Sequence, residues 1–207
     1  MTDPVALKTV HDFALKSESD LKTALIVAAA VPGMKEQITS DFLQALQQKL
    51  SQKKPKGWEV TQGIPNVYGE RYSGVSIWQA EWTDNYSIRL EAQEWGKGSV
   101  LGVWRNWNKL RGGPNPDVLD QFRDAKWPGK ANRWWEWYVR VPNEYGDWHD
   151  TEALVKMKFK TGETVEYLVS AMLKAAKLGT PLLNEMTKSK PIGLSIRHVY
   201  IKPKTGS

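Results

Sequence analysis

The sequence predicts an α+β fold: an antiparallel sheet of four or more strands with N-terminal helices and a C-terminal amphipathic helix packed on it. Three observations predict it. Apolar residues recur at helical spacing in the first fifty positions, where Met34, Ile38, Phe42, Leu46 and Leu50 fall every four residues. After Lys53-Lys54-Pro55-Lys56-Gly57 the period changes to two, with Tyr86, Ile88, Leu90 and Ala92 alternating against Ser87, Arg89, Glu91 and Gln93. Helical spacing then returns at Val165, Leu168, Val169, Met172, Leu173 and Ala176, the stripe of a helix that covers a sheet.

Taken in order, the chain begins with an apolar segment, Leu21 to Val31, which Pro32-Gly33 is expected to separate from the next one. The spacing therefore predicts two or three short helices. Gly74 to Trp82 reads as a strand with Ser76, Trp78, Ala80 and Trp82 on one face, and Asp84-Asn85 as the turn into a second strand. Val100 to Trp107 and Arg133 to Val141 are the third and fourth strands. Between them Asn115-Pro116-Asp117 has the order of N-cap, first-turn proline and first-turn carboxylate, followed by Val118, Leu119 and Phe122 on one helical face. Asp150 is expected to cap a helix carrying Leu154 and Met157. The last helix spans Glu163 to Leu178, with Gly179 and Pro181 as its stop, and Leu194 to Ile201 reads as an edge strand before a polar tail. This divides the chain into a helical segment (1–57), a Trp-rich α+β domain (58–187) and a basic strand and tail (188–207).

A chain of 207 residues, 41% apolar, can bury one proper core. Its longest apolar run, Ala24 to Val31, is too short to span a bilayer, and the Met-Thr-Asp-Pro start has no basic region ahead of an apolar stretch. No membrane span and no signal peptide are expected. Cysteine is absent, which excludes disulfides, thiolate metal sites and a cysteine nucleophile and fits a cytoplasmic setting. The net charge of +6 is uneven: 1–57 has eight Lys/Arg against six Asp/Glu, 58–148 has eleven against twelve, and 149–207 has ten against five. Lys188, Lys190, Lys202 and Lys204 lie in a C-terminal stretch without a carboxylate, so they are candidate contacts for phosphate or an acidic partner.

His11, His149 and His198 show no metal-ligand spacing, and no phosphate-binding or dinucleotide-binding glycine motif occurs, so no cofactor and no metal are expected. One acidic set, Asp84, Glu91, Glu94 and Lys97, has the residue types of a metal-dependent nuclease. Its spacing departs from that pattern, because Gln93 stands two after Glu91 and Lys97 three after Glu94. All eleven Trp lie between Trp58 and Trp148. In VWRNWNKLR (103–111) and RWWEWYVR (133–140) they alternate with cations, a mixture that suits single-stranded nucleic acid and also sugar rings. Period-two geometry on the fourth strand assigns Trp135, Trp137, Val139 and Val141 to the core, and Trp134, Glu136, Tyr138 and Arg140 to an exposed binding face.

The helix MKEQITSDFLQALQQKL, the Gly57-Trp58-Glu59 strand start, LGVWRNW, the WWEWY run, Trp148 and the amphipathic helix after Gly162-Glu163 together resemble the C-terminal accessory region of bacterial and prophage PD-(D/E)XK nuclease-like proteins. The resemblance covers Met34 to Leu178. It implies an accessory or recognition module, and no catalytic residue carries over. The expected function is a non-enzymatic interaction module that binds protein or nucleic acid in a phage-related or defence-related setting. A divergent metal-dependent nuclease and a carbohydrate-binding domain are the alternatives, and the oligomeric state is open.

Overall fold

A computed structural model of the chain describes residues 4–82 and 84–188. It shows the α+β architecture: a six-stranded antiparallel sheet with six helices among the described residues. The helices are α1 (Pro4–Ala14), α2 (Glu18–Lys53), α3 (Pro116–Asp124), α4 (Asn143–Gly146), α5 (Thr151–Phe159) and α6 (Thr161–Lys188). The strands are β1 (Trp58–Val60), β2 (Gly74–Gln79), β3 (Tyr86–Ala92), β4 (Ser99–Arg105), β5 (Lys130–Asn132) and β6 (Trp135–Arg140), in the order β1-β2-β3-β4-β6-β5.

Two helices run through residues that the sequence marks as stops. Pro32 and Gly33 lie inside α2, which continues for 36 residues. Proline removes one N–H and leaves the carbonyl four residues back without its helical partner, but Ala28 to Met34 are exposed, so water can take that place. Gly179 and Pro181 lie inside α6, which reaches Lys188 instead of ending near Leu178. Tertiary contacts hold its last turns: Leu183 is fully buried, Leu182 and Met186 pack on the core, and Asn184 Oδ1 accepts a hydrogen bond of 2.7 Å from Trp82 Nε1. Gly179 lies at the crossing with the sheet, where an added Cβ would stand 3.4 Å from Val103 Cγ2.

The caps follow their local chemistry. Asn115 Oδ1 accepts from the Asp117 N–H at the start of α3, and Asp150 accepts from Glu152 and Ala153 at the start of α5. The expected stripe on α6 is inward, with Val165, Leu168, Val169 and Met172 buried and Leu173 packed against the core. The second half of α2 joins the same core through Phe42, Leu43, Leu46 and Leu50. From Ile38 on, the segment 1–57 thus shares its core with the Trp-rich domain. The expected strand at Leu194 to Ile201 lies outside the described residues.

The second strand is shorter than expected. Ala80–Trp82 forms a 3-10 turn, and this breaks the alternation that would have set Trp78 and Trp82 side by side. Trp82 instead swings into the core against Trp58, with ring centroids 5.1 Å apart, while Trp78 is half-buried.

The register separates two faces. Val75, Ile77, Ile88, Leu90, Leu101, Val103 and Trp137 share the inner face, and all belong to the core. The helices meet the sheet there: Phe122 of α3 stacks on Trp137 at 3.8 Å, and Ser99 Oγ donates to the Gly146 carbonyl of α4 at 2.7 Å. On the outer face, Ser76, Arg89, Gly102, Tyr138 and Lys130 lie in one cross-strand row. Ser87, Trp104, Trp135 and Asn132 form the neighbouring row. Val100 and Trp135 are buried yet stand apart from the core cluster, as residues covered only by their neighbours on the outer face would.

Candidate functional site

Strand β6 decides where the aromatic side chains go. Val103 pairs with Trp137 and Trp104 with Trp135, so Glu136 is one extra residue in β6 at a bulge. Beyond the bulge the alternation inverts. Trp135 turns outward and packs near Tyr138 at 6.0 Å between ring centroids, while Glu136 turns inward and is fully buried. The period-two assignment is therefore corrected at Glu136 and Trp135, which exchange faces. It holds at Trp137 and Val141, both buried, and at Tyr138 and Arg140, which stay on the outer face. Trp134 precedes the strand and is exposed, with the Arg133 guanidinium 5.3 Å from its ring centre.

Glu136 is tolerated inside because it is paired. Arg105 Nε stands 2.9 Å from Oε1, and Oε2 accepts from the Asn115 N–H at 2.6 Å. Arg105 spends its other donors on the carbonyls of Gly112 and Leu110 at 2.8 and 2.9 Å. A cleft of about 440 Å³ opens beside this pair, lined also by Tyr86, Arg111, Glu185 and Met186. Burial above all, with the Glu136 charge added, raises the Tyr86 pKa, so its hydroxyl stays protonated.

The outer face has a different chemistry. The Arg89 guanidinium lies 4.2 Å from the centre of the Trp104 ring. It is pinned there by Glu91 Oε2 at 3.0 Å and Ser76 Oγ at 3.2 Å. Gly102 stands between Arg89 and Tyr138 in register and brings no side chain. Alanine could not replace it, since a Cβ would run into the Trp137 carbonyl oxygen and stand 2.7 Å from Tyr138 Cβ. Alongside, a cleft of about 690 Å³ is lined by Gln93, Lys97, Lys130, Trp135, Tyr138 and Arg140, among others.

The four residues of the nuclease alternative do not converge. Asp84 sits in the turn before β3, and Glu91 is seven residues on along that strand, on the order of 20 Å away. Each carboxylate has its own cation: Asp84 pairs with Lys109 at 3.2 Å, Glu91 with Arg89 at 3.0 Å and Glu94 with Arg71 at 3.4 Å. Lys97 follows in the β3–β4 connection, on the rim of the outer cleft. Among the described residues no group of three or more His, Asp or Glu is placed to hold one metal ion. Lys188 is the exposed last residue of α6, and Lys190, Lys202 and Lys204 lie outside the described residues. The residues that sequence reasoning missed are Arg89 and Gly102. The cation–aromatic interleaving around Trp104 was the available signal, but only the register shows that Arg89, one strand away, completes it.

Glu91 supplies a test of this arrangement. Burial pushes its pKa up, and the Arg89 charge with hydrogen bonds from Arg89 and Gln93 offsets that only in part. The folded state then holds the proton more tightly than the unfolded chain. Glu91 contributes its stability below the ordinary glutamate range and loses it as pH rises through the folded value. Glu91→Gln removes this loss, so the urea midpoint of the variant gains on that of the parent as pH rises above the ordinary glutamate range. A gap that shrinks or reverses as pH rises would show that the ion pair outweighs burial.

Comparison with protein-family models, with curated proteins and with solved structures finds no match to the chain. No described helix is long and apolar enough to cross a membrane.

Proposed function

We propose that the protein is a non-catalytic interaction module that binds single-stranded nucleic acid across the outer face of its sheet. The observation that carries this reading is the row Arg89, Gly102, Tyr138, with the Arg89 guanidinium held 4.2 Å from the centre of the Trp104 ring. Arg89, Trp104 and Tyr138 thus present a guanidinium and two aromatic rings on one sheet face. Bases stack on aromatic rings and on guanidinium planes alike.

The charges around the cleft favour a polyanion. Its lining holds Lys97, Lys130 and Arg140 against one carboxylate, Glu94. Three cations at the edge of a stacking surface are the arrangement in which bases lie flat and phosphates are held at the rim. The basic run from Lys188 to Lys204 adds sequence-independent attraction. The resemblance to an accessory region behind nuclease-like catalytic domains points to the same kind of role.

Fluorescence anisotropy with labelled single-stranded oligonucleotides tests the proposal. The full chain binds them, and Trp104→Ala or Tyr138→Ala weakens binding roughly 5- to 150-fold, the equivalent of about 1–3 kcal/mol for one stacked base. Arg140→Gln lowers the slope of log K against log salt by about 0.7. Binding that is absent, or indifferent to all three substitutions, overturns the reading. Oligosaccharides that quench Trp emission while oligonucleotides leave it unchanged would assign the face to sugars instead.

A further inference from the structure

The N-terminal half of α2 leaves the body of the protein. Its buried residues begin only at Thr39, and from Glu18 to Met34 no residue is buried. That stretch is about 25 Å of helix at 1.5 Å per residue. Helix α1 joins its start through Leu15–Ser17, touches it, and likewise has no buried residue. The pair forms an exposed arm that meets the body between Lys35 and Thr39, where α2 reaches the core.

The composition of this arm is wrong for a solvated one. Val10 is 64% exposed, Phe13 56%, Leu25 61% and Ile26 70%, and Val5, Leu7, Leu15, Leu21, Val27, Val31 and Met34 are exposed as well. At about 60–120 Å² per apolar side chain, roughly half exposed, these eleven leave on the order of 400–750 Å² of apolar surface on one arm. A typical monomer's largest apolar patch is about 300–600 Å² and is often functional. A stable pairing covers about 800 Å² per partner.

We propose that the arm is a homodimerisation element: α1 and α2 of one copy pack on α1 and α2 of a second, closing a four-helix bundle. Each arm brings two helices with apolar side chains on both, as half of such a bundle does. The charge fits a second copy better than other occupants. Residues 4–35 carry Lys8, Lys16, Lys22 and Lys35 against Asp12, Glu18 and Asp20, so two arms neither repel each other nor select a charged partner. A helix that lies on a membrane surface has a polar face rich in cations, and this arm has nearly equal numbers of both signs. The proposal is independent of the nucleic-acid reading, since the arm shares no residue with the outer sheet face.

Sedimentation equilibrium and light scattering on the full chain are the test. The expected mass is twice 23.5 kDa at micromolar concentration. Leu25→Ala/Ile26→Ala weakens self-association ~30-fold or more, because each substitution acts twice in a symmetric pair. Alanine keeps helix propensity at its maximum, so far-UV circular dichroism and the urea midpoint of the core stay at their parent values. Phe13→Ser, on the other helix, acts in the same direction. A chain that stays monomeric at hundreds of micromolar overturns the proposal, as does a dimer that both variants leave intact. Monomers that co-sediment with lipid vesicles through Leu25 and Ile26 would assign the arm to a membrane surface and overturn it equally.

Discussion

Arg105→Met and Glu136→Leu each lower stability by about 3–5 kcal/mol, and the double variant costs clearly less than the two added together. Both side chains are buried and their charged atoms meet at 2.9 Å. Taking away one leaves the other as an uncompensated charge in a water-poor site, and that penalty dominates each single variant. Taking away both removes the penalty. What remains in the double variant is the Asn115 N–H and the carbonyls of Leu110 and Gly112, each without its present partner. Urea denaturation of the four proteins at neutral pH closes the cycle. Strict additivity would show that the pair is not coupled and that the loop anchored by Arg105 is what the single variants disrupt.

Trp137→Ala costs about 3–5 kcal/mol, in the range for a large aromatic side chain removed from a packed core. The ring is fully buried between two others: Phe122 stacks on it at 3.8 Å with planes 14° apart, and Trp127 meets it edge-on at 4.7 Å. The loss therefore falls on the junction of α3 with β6 as well as on the sheet. Trp137→Phe separates ring packing from the indole nitrogen. Nε1 is buried and finds no hydrogen-bond partner among the described residues, so phenylalanine gives up area but also relieves an unsatisfied donor. The expected order of midpoints is parent, then Phe, then Ala. A midpoint for Ala equal to the parent would place the α3 contact outside the cooperative core.

These two sites also show what a sequence can and cannot reveal. The caps at Asn115 and Asp150 were legible because the capping bond is made within three residues, so the chemistry is complete in the local string. The stripe on α6 was legible because its period is the helix's own. Pro32 and Pro181 were over-read, since whether a helix survives a proline depends on what its next turn touches. For α6 that partner is Trp82, about a hundred positions away. The outer sheet face was half legible. Tyr138 and Arg140 follow from counting by two, but counting cannot see an extra residue, and one bulge carries Glu136 inward and Trp135 outward. Arg89 became part of the site only through pairing with Gly102, a relation between strands that neither strand states alone.

Among the described residues the two outermost strands, β1 and β5, have three residues each. So short an edge offers an incoming chain few free backbone groups to bond with, and Glu59 and Lys130 lie on those borders with their charges. These two edges thereby discourage lengthening by a stranger's strand. A preparation that clumps on standing should consequently keep its native β content and clear with detergent, as aggregates joined through apolar helices do, rather than convert to fibrils.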